Sequence, residues 1–251
     1  MNSDYNILRK DLSELGLCKG DSVMMHSSYK SLGGVEGGIE TLVSAILSVI
    51  GDSGTLLVPT LTYKFVTVDN PVFDYLNTPS CVGAVSEYVR NMEGSMRSIH
   101  PTHSVSAIGR LADYYTAGHE NDRTPCGENS PFRKNIESGG KVLMLGCDVA
   151  YNTTFHAIEE IAGVSYVLTT PPLEHTLILP DRTYKAAYRR HSIVQNGYAQ
   201  HYERITTQED NGLKKSYVHG AMCYLFSADI MAKRALSLME KDEKYFVEKI
   251  K

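Results

Sequence analysis

Residues 22–58 read SVMMHSSYKSLGGVEGGIETLVSAILSVIGDSGTLLV, and this stretch decides the fold class. It opens on the apolar run Ser22-Val23-Met24-Met25 and closes on Thr55-Leu56-Leu57-Val58. Short runs of this kind, bounded by glycine and polar residues, have the length and composition of buried strands. Between them Ile39, Leu42, Val43, Ile46, Leu47 and Ile50 recur at helical spacing, which gathers them into one apolar stripe. Strand, glycine loop, helix, strand is the βαβ unit of an α/β protein.

Working outward, Lys141 to Leu145 reads as a third buried strand. Residues 4 to 16 read as a helix with Leu8, Leu12 and Leu15 on one side, and Asp229 to Met239 repeats the amphipathic pattern. Residues 165–220, with their tyrosine, threonine and valine, suggest antiparallel strands turning at Pro171-Pro172 and Pro180-Asp181. There is no internal repeat and no low-complexity linker. A chain of 251 residues can bury one substantial core, so a single α/β domain over 1–251 is expected, with 165–220 as its strand-rich, substrate-side region.

Composition narrows the function. A net charge of -4 offers no basic excess to neutralise phosphates, which argues against nucleic acid as a partner. No apolar run resembles a signal peptide or approaches the ~18 residues of a membrane span. The five cysteines are scattered and never in C-x-x-C spacing, which fits free thiols in a reducing cytoplasm. A homodimer is the assembly expected beyond the single chain.

Three stretches can carry chemistry. The loop H-S-S-Y-K-S-L-G-G-V-E-G-G, residues 26–38, follows a strand and opens a helix. Its glycines let backbone approach a ligand, the helix start favours an anion, and Ser27, Ser28 and Lys30 add donors and a positive charge. The alternative is a plain strand-to-helix turn, because the loop matches neither a P-loop nor G-x-G-x-x-G. The second stretch, R-S-I-H-P-T-H-S-V-S-A-I-G, spaces His100 and His103 like metal ligands. Pro101 disfavours one helix presenting both rings, and no further ligand motif accompanies them, so a substrate-lining loop is expected and no metal. The third is Y-N-T-T-F-H-A-I-E-E, residues 151–160. Asn152, Thr153 and Thr154 can each cap a helix whose buried face would carry Phe155, Ile158, Ile161 and Ala162. His156 then lies in the first turn with Glu159 and Glu160 at i+3 and i+4. A helix start keeps a histidine neutral and able to accept a proton, with a carboxylate to steady it. The alternative is a surface His–Glu pair worth ~0.3 to 0.5 kcal/mol.

Taken in order, G-D-S-V-M-M-H-S-S-Y-K-S-L-G-G-V-E-G-G, G-T-L-L-V-P-T-L-T-Y, H-P-T-H-S-V-S-A-I-G, C-G-E-N-S-P-F, G-G-K-V-L-M-L-G and N-T-T-F-H-A-I-E-E resemble the aminoglycoside 3-N-acetyltransferase family. The likeness is close over roughly residues 5 to 165 and looser beyond. It implies the antibiotic N-acetyltransferase fold, a central mixed sheet flanked by helices. It also implies acetyl-coenzyme A as donor and an amine of an aminoglycoside, or of another amino sugar, as acceptor. The family's histidine matches His156 and its threonines match Thr153 and Thr154. Its coenzyme-contacting loop matches His26, Ser27, Ser28 and Gly33, with Lys30 and Gly34 alongside. Its H-P-x-x-S segment matches His100, Pro101 and Ser104, near the acyl-transfer site.

Elementary chemistry agrees. A thioester is already activated, so the enzyme must hold the coenzyme, deprotonate an ammonium and support an oxyanion. The glycine loop suits the first task and His156, with Glu159, the second. Thr154 or Ser104, or amides at the helix start, suit the third. One departure stands out. Where many family members carry an acid, this chain reads Arg189-Arg190-His191. A basic segment suits an acceptor bearing phosphate or carboxylate, such as a nucleotide-linked amino sugar. Glu203, Asp69, Asp74 and Glu87 are the acids from which a cleft for a polycation would have to draw. Two rival readings are a covalent route through Cys126 or Cys147 with His156, and a protein that binds coenzyme or antibiotic without turnover.

Overall fold

The computed structural model describes residues 2–250. In chain order the first half comprises α1 (Ser3–Leu15), β1 (Ser22–Ser27), α2 (Gly38–Ile50), β2 (Thr55–Pro59), β3 (Val72–Asp74), α3 (Ala84–Arg90), β4 (Met96–Arg97) and β5 (Val105–Gly109). The second half comprises α4 (Ala112–Thr116), α5 (Pro131–Glu137), β6 (Lys141–Leu145), α6 (Thr154–Ala162), β7 (Leu173–Ile178), β8 (Thr183–Tyr188), β9 (Tyr198–Gln200), β10 (Leu213–Val218), β11 (Ala221–Ser227), α7 (Ala228–Met239) and β12 (Val247–Lys249).

A seven-stranded mixed sheet, in the order β10-β11-β6-β1-β2-β5-β4, forms the centre. Strand β1 pairs parallel with β2 and with β6, and the outer partners run antiparallel. The three inner strands are apolar at their central positions, His26 of β1 apart, because both faces are covered. Alternation sorts them: Val23, Met25, Leu56, Val58, Leu143 and Leu145 pack with α1, α2 and α3. Met24, Leu57, Val142 and Met144 face the other way, onto α4, α5, α6 and α7.

Helix α1 starts where the Asn2 side chain accepts the Tyr5 amide, and it stops at Gly16 in the left-handed conformation. Its Leu8, Leu12 and Leu15 are buried, each worth about 1.5–3 kcal/mol. The expected hairpin appears as β7 and β8, reversing through Pro180 and Asp181. With β3 it forms a separate three-stranded sheet, and β9 pairs with β12. Strands β10 and β11 instead join the central sheet beside β6, a placement the sequence pattern did not anticipate. No helix among the described residues is long and apolar enough to cross a membrane.

Candidate active site

Strands β1, β2 and β6 run parallel and deliver their carboxyl ends to one edge, where ligands of α/β sheets bind. A cavity of about 650 Å³ opens there, between His26, Ser27 and Ser28 at the end of β1, Pro59 and Leu61 at the end of β2, and Cys147 just beyond β6. Thr153 and His156 at the start of α6 line it together with His103, Arg190, His191 and Tyr202.

Helix α6 positions His156. The Asn152 side chain accepts the Thr154 amide and Gly163 ends the helix in the left-handed conformation, so the element is short and fixed at both ends. The buried face is wider than spacing predicts, with Ile161 packed against the core as expected. Phe155 and Ile158 are buried, but Ala162 is exposed, and Glu159 is fully buried with Ala157. A buried carboxylate needs partners. His156 Nδ1–H donates to Glu159 Oε2 at 3.0 Å, the Tyr202 hydroxyl donates to the same oxygen at 2.9 Å, and the Tyr166 hydroxyl reaches Oε1 at 3.2 Å. The pair is therefore a buried clamp, and the surface-pair reading is set aside. It leaves Nε2 as the ring nitrogen without a protein hydrogen-bond partner among the described residues.

A second carboxylate–imidazole chain lies beside the first. His191 Nε2–H donates to Glu160 Oε1 at 2.6 Å, and that oxygen also accepts the Cys126 amide at 2.9 Å. His103 Nε2–H faces His191 Nδ1 at 3.2 Å, while His103 Nδ1 accepts the Thr102 hydroxyl at 2.9 Å. The His156 and His191 rings are 4.4 Å apart, centre to centre. Burial holds the pKa values of His103 and His191 well below the usual imidazole range, so both stay neutral. Burial also pushes the Glu160 carboxyl up to about 6. His26 is lowered to about 3, chiefly by burial and then by the neighbouring His156, and its Nε2 is buried without a partner.

Several residues singled out from sequence stand back from this cavity. His100 is fully buried behind it, where Nδ1 accepts the amides of Thr102 and His103 and the ring stacks on His119. It shapes the turn that presents His103. Ser104 accepts from Arg97 Nε at 3.0 Å and donates to the Thr60 carbonyl at 2.8 Å, so its hydroxyl is committed to holding the loop. Thr154 Oγ1 is buried without a partner and does not line the cavity; Thr153 does. Lys30, Gly33 and Gly34 are exposed and outside it, whereas Ser27 and Ser28 face inward. Arg189 turns away to the Thr169 carbonyl at 2.7 Å, and only Arg190 and His191 of the basic segment reach the wall. Glu203 pairs with His201 at 2.9 Å, Glu87 with Arg90, and Asp74 with Asn77; with the exposed Asp69, none lines the cavity. The cysteine route also fails on physical grounds. Burial raises the Cys126 thiol well above its usual range and Cys147 to about 12, so neither supplies a thiolate near neutral pH.

Tyr202, Tyr166 and the pairing of Glu160 with His191 were missed from sequence. Tyr202 meets Glu159 across 43 residues, and its only local signal was an undistinguished stretch of polar and aromatic residues.

The fold and the histidine–carboxylate site together define a class: the chain belongs to the aminoglycoside 3-N-acetyltransferase family, whose family model matches residues 24–240. It is 33% identical over 177 residues to aminoglycoside N(3)-acetyltransferase VII of Streptomyces paromomycinus, covering 62% of this chain and 59% of that protein. It is 29% identical over 258 residues to aminoglycoside N(3)-acetyltransferase III of a Salmonella species, covering 92% of this chain and 89% of that protein. Among solved structures, AAC-IIIb in its binary complex with CoASH matches with a TM-score of 0.82 at 25% identity, covering 94% of this chain and 96% of that one.

Proposed function

We propose that the chain is an acetyl-CoA-dependent N-acetyltransferase acting on an amine of an amino sugar, the 3-amino group of an aminoglycoside being the acceptor its relatives' names favour. The observation that carries this reading is His156 at the cavity wall with Nδ1 clamped by the buried Glu159. The acceptor ammonium loses one proton to solvent on binding, and Nε2 takes a second from the amine nitrogen as its lone pair attacks the thioester carbonyl carbon. Glu159 offsets the imidazolium charge. The tetrahedral oxyanion collapses, the C–S bond breaks, and His156 returns its proton to the departing thiolate. Thr153, whose side chain lies at the helix start and in the wall, takes the oxyanion role first assigned to Thr154. Ser27 and Ser28 face the acyl-bearing arm of the coenzyme. Lys30, Gly33 and Gly34, on the surface beyond, remain the residues assigned to its phosphates. The cytosol, which holds the donor, is the proposed compartment.

A second acceptor class is favoured by one observation. No aspartate or glutamate is among the described residues lining the cavity, while Arg190 is. A polycation gains from carboxylates in its site. The lining therefore fits an amino sugar of low positive charge, or one bearing phosphate or carboxylate. Thiol release from acetyl-CoA, measured against gentamicin-like drugs, monoamino sugars and nucleotide-linked amino sugars, separates these. Turnover on the first group alone would reject the second reading. Coenzyme binding with no release on any amine would reject catalysis and leave a binding protein.

A further inference from the structure

We propose that the imidazoles of His103, His156 and His191 form a site for a divalent transition-metal ion of the zinc class, and that filling it switches acetyl transfer off. The second half of this statement rests on the reading of His156 as the base; the first does not.

One nitrogen from each of the three rings lies within 4.8 Å of the other two. The closest pair, His103 Nε2 and His191 Nδ1, is 3.2 Å apart. A tetrahedral ion with metal–nitrogen bonds of about 2.0–2.1 Å sets its ligand nitrogens about 3.3 Å apart. That pair is therefore already spaced for ligation, and His156, whose nitrogen lies within 4.8 Å of both, completes the set from the cavity edge.

The backing of the rings is the stronger evidence. A metal-bound histidine needs its other nitrogen held by an oxygen, which fixes the tautomer and the ring plane. All three rings have this support. Glu160 holds His191 Nε2, Glu159 holds His156 Nδ1, and the Thr102 hydroxyl holds His103 Nδ1. For His191 and His156 the supported nitrogen carries the proton, so the other one presents a lone pair. His103 needs its proton moved from Nε2 to Nδ1, where the Thr102 hydroxyl rotates from donor to acceptor. Within this arrangement ligation asks for no other shift of a ring proton. The two carboxylates behind the rings offset the charge of the ion, and the fourth position opens toward the cavity for water. Once bound, the ion occupies the Nε2 lone pair that would take the acceptor's proton.

A competing set, Cys126 with Glu160 and His191, shares one ligand and must be told apart. Tag-free protein is titrated with Co2+ by absorption and with Zn2+ against a chromophoric chelator. We expect one ion per chain, binding at micromolar concentration or tighter, with no sulfur-to-cobalt charge-transfer band. His103→Asn and His191→Asn, chosen because the amide keeps some of the hydrogen bonding, should each weaken binding by at least ~100-fold while their thermal melts confirm folding. Cys126→Ser should bind as the wild type does. Absence of stoichiometric binding up to about 1 mM ion, or loss of binding in Cys126→Ser with retention in folded His103→Asn, would overturn the site. Zn2+ should also abolish thiol release, and a chelator should restore it. Binding without inhibition would keep the site and overturn the assignment of His156 as the base.

Discussion

At His156 and Glu159, a three-residue spacing brings ring and carboxylate together within one helical turn, and the tertiary structure then buries the carboxylate. That much of the site was legible, because it is local. The Glu160–His191–His103 chain was not, since its contacts span 31 and 88 residues and no helical or strand period encodes them. Glu159→Gln keeps shape and one hydrogen-bond acceptor but removes the charge that offsets the imidazolium. We expect turnover to fall on the order of 10²-fold with little change in coenzyme affinity, measured by thiol release and calorimetry on the same protein. Arg190 can be tested in the opposite direction. It is the one arginine among the described residues lining the cavity, and its Nη2 donates to the Val66 carbonyl at 3.1 Å. Arg190→Gln should raise kcat/KM for polycationic acceptors by about 3- to 10-fold, in proportion to one removed repulsion in a partly solvated site. An unchanged ratio of polycationic to monoamino acceptors would show that the cavity charge does not select.

Element by element, the strands and helices of the first 60 residues could be read directly, because Leu8, Leu12 and Leu15 keep a helical period and both faces of the inner strands are apolar. Strand β11 could not. Its partner β6 lies some 80 residues earlier, and only the assembled sheet shows which edge it completes. Helix α6 was placed correctly with Phe155 and Ile158 on its buried side, but the burial of Glu159 was not foreseen, because a buried glutamate reads in sequence as a solvated one. Thr154 tests this. Its Oγ1 is buried, unpartnered and outside the cavity, so Thr154→Val should keep turnover within a few-fold and leave stability unchanged or raised by about 1 kcal/mol. A loss of turnover near that of a missing oxyanion donor, roughly 10²-fold or more, would return Thr154 to the chemistry. Gly109 tests the pairing of β2 with β5. Its φ is 121°, and a Cβ there would meet the Gly54 carbonyl oxygen, with Thr55 Cα 2.9 Å away. These neighbours are backbone and cannot rotate aside. Gly109→Ala should lower stability by about 3 kcal/mol or more in denaturant melts.

For the whole molecule, the buried imidazoles set the response to acid. His26, His100, His103, His119, His175 and His191 all have pKa values lowered by burial from 6.5, with His26 and His119 reaching about 3. Below pH 6.5 the unfolded chain binds protons that the folded chain does not. The stability these groups provide is therefore present above pH 6.5 and lost as pH falls, at up to about 1.4 kcal/mol per pH unit for each. Glu160 and Asp122 act in the opposite sense, since burial raises both carboxyls, Glu160 to about 6 from the ordinary 4.5, but two such groups, the first worth about 2 kcal/mol, do not reverse six. Against a typical stability of 5–15 kcal/mol, we expect cooperative unfolding between about pH 4 and 5.5, followed by circular dichroism. A protein still folded at about pH 3 would mean that these rings take up protons in place. The decisive measurement is acetyl-CoA turnover by His156→Ala, with coenzyme affinity determined on the same preparation. Turnover should fall by ~10² to 10⁴, coenzyme affinity should hold within a few-fold, and His156→Gln should not restore the rate, because an amide cannot accept the proton. Turnover of His156→Ala within a few-fold of the wild type from about pH 6 to 9 would contradict the assignment of the base and leave α6 as scaffold.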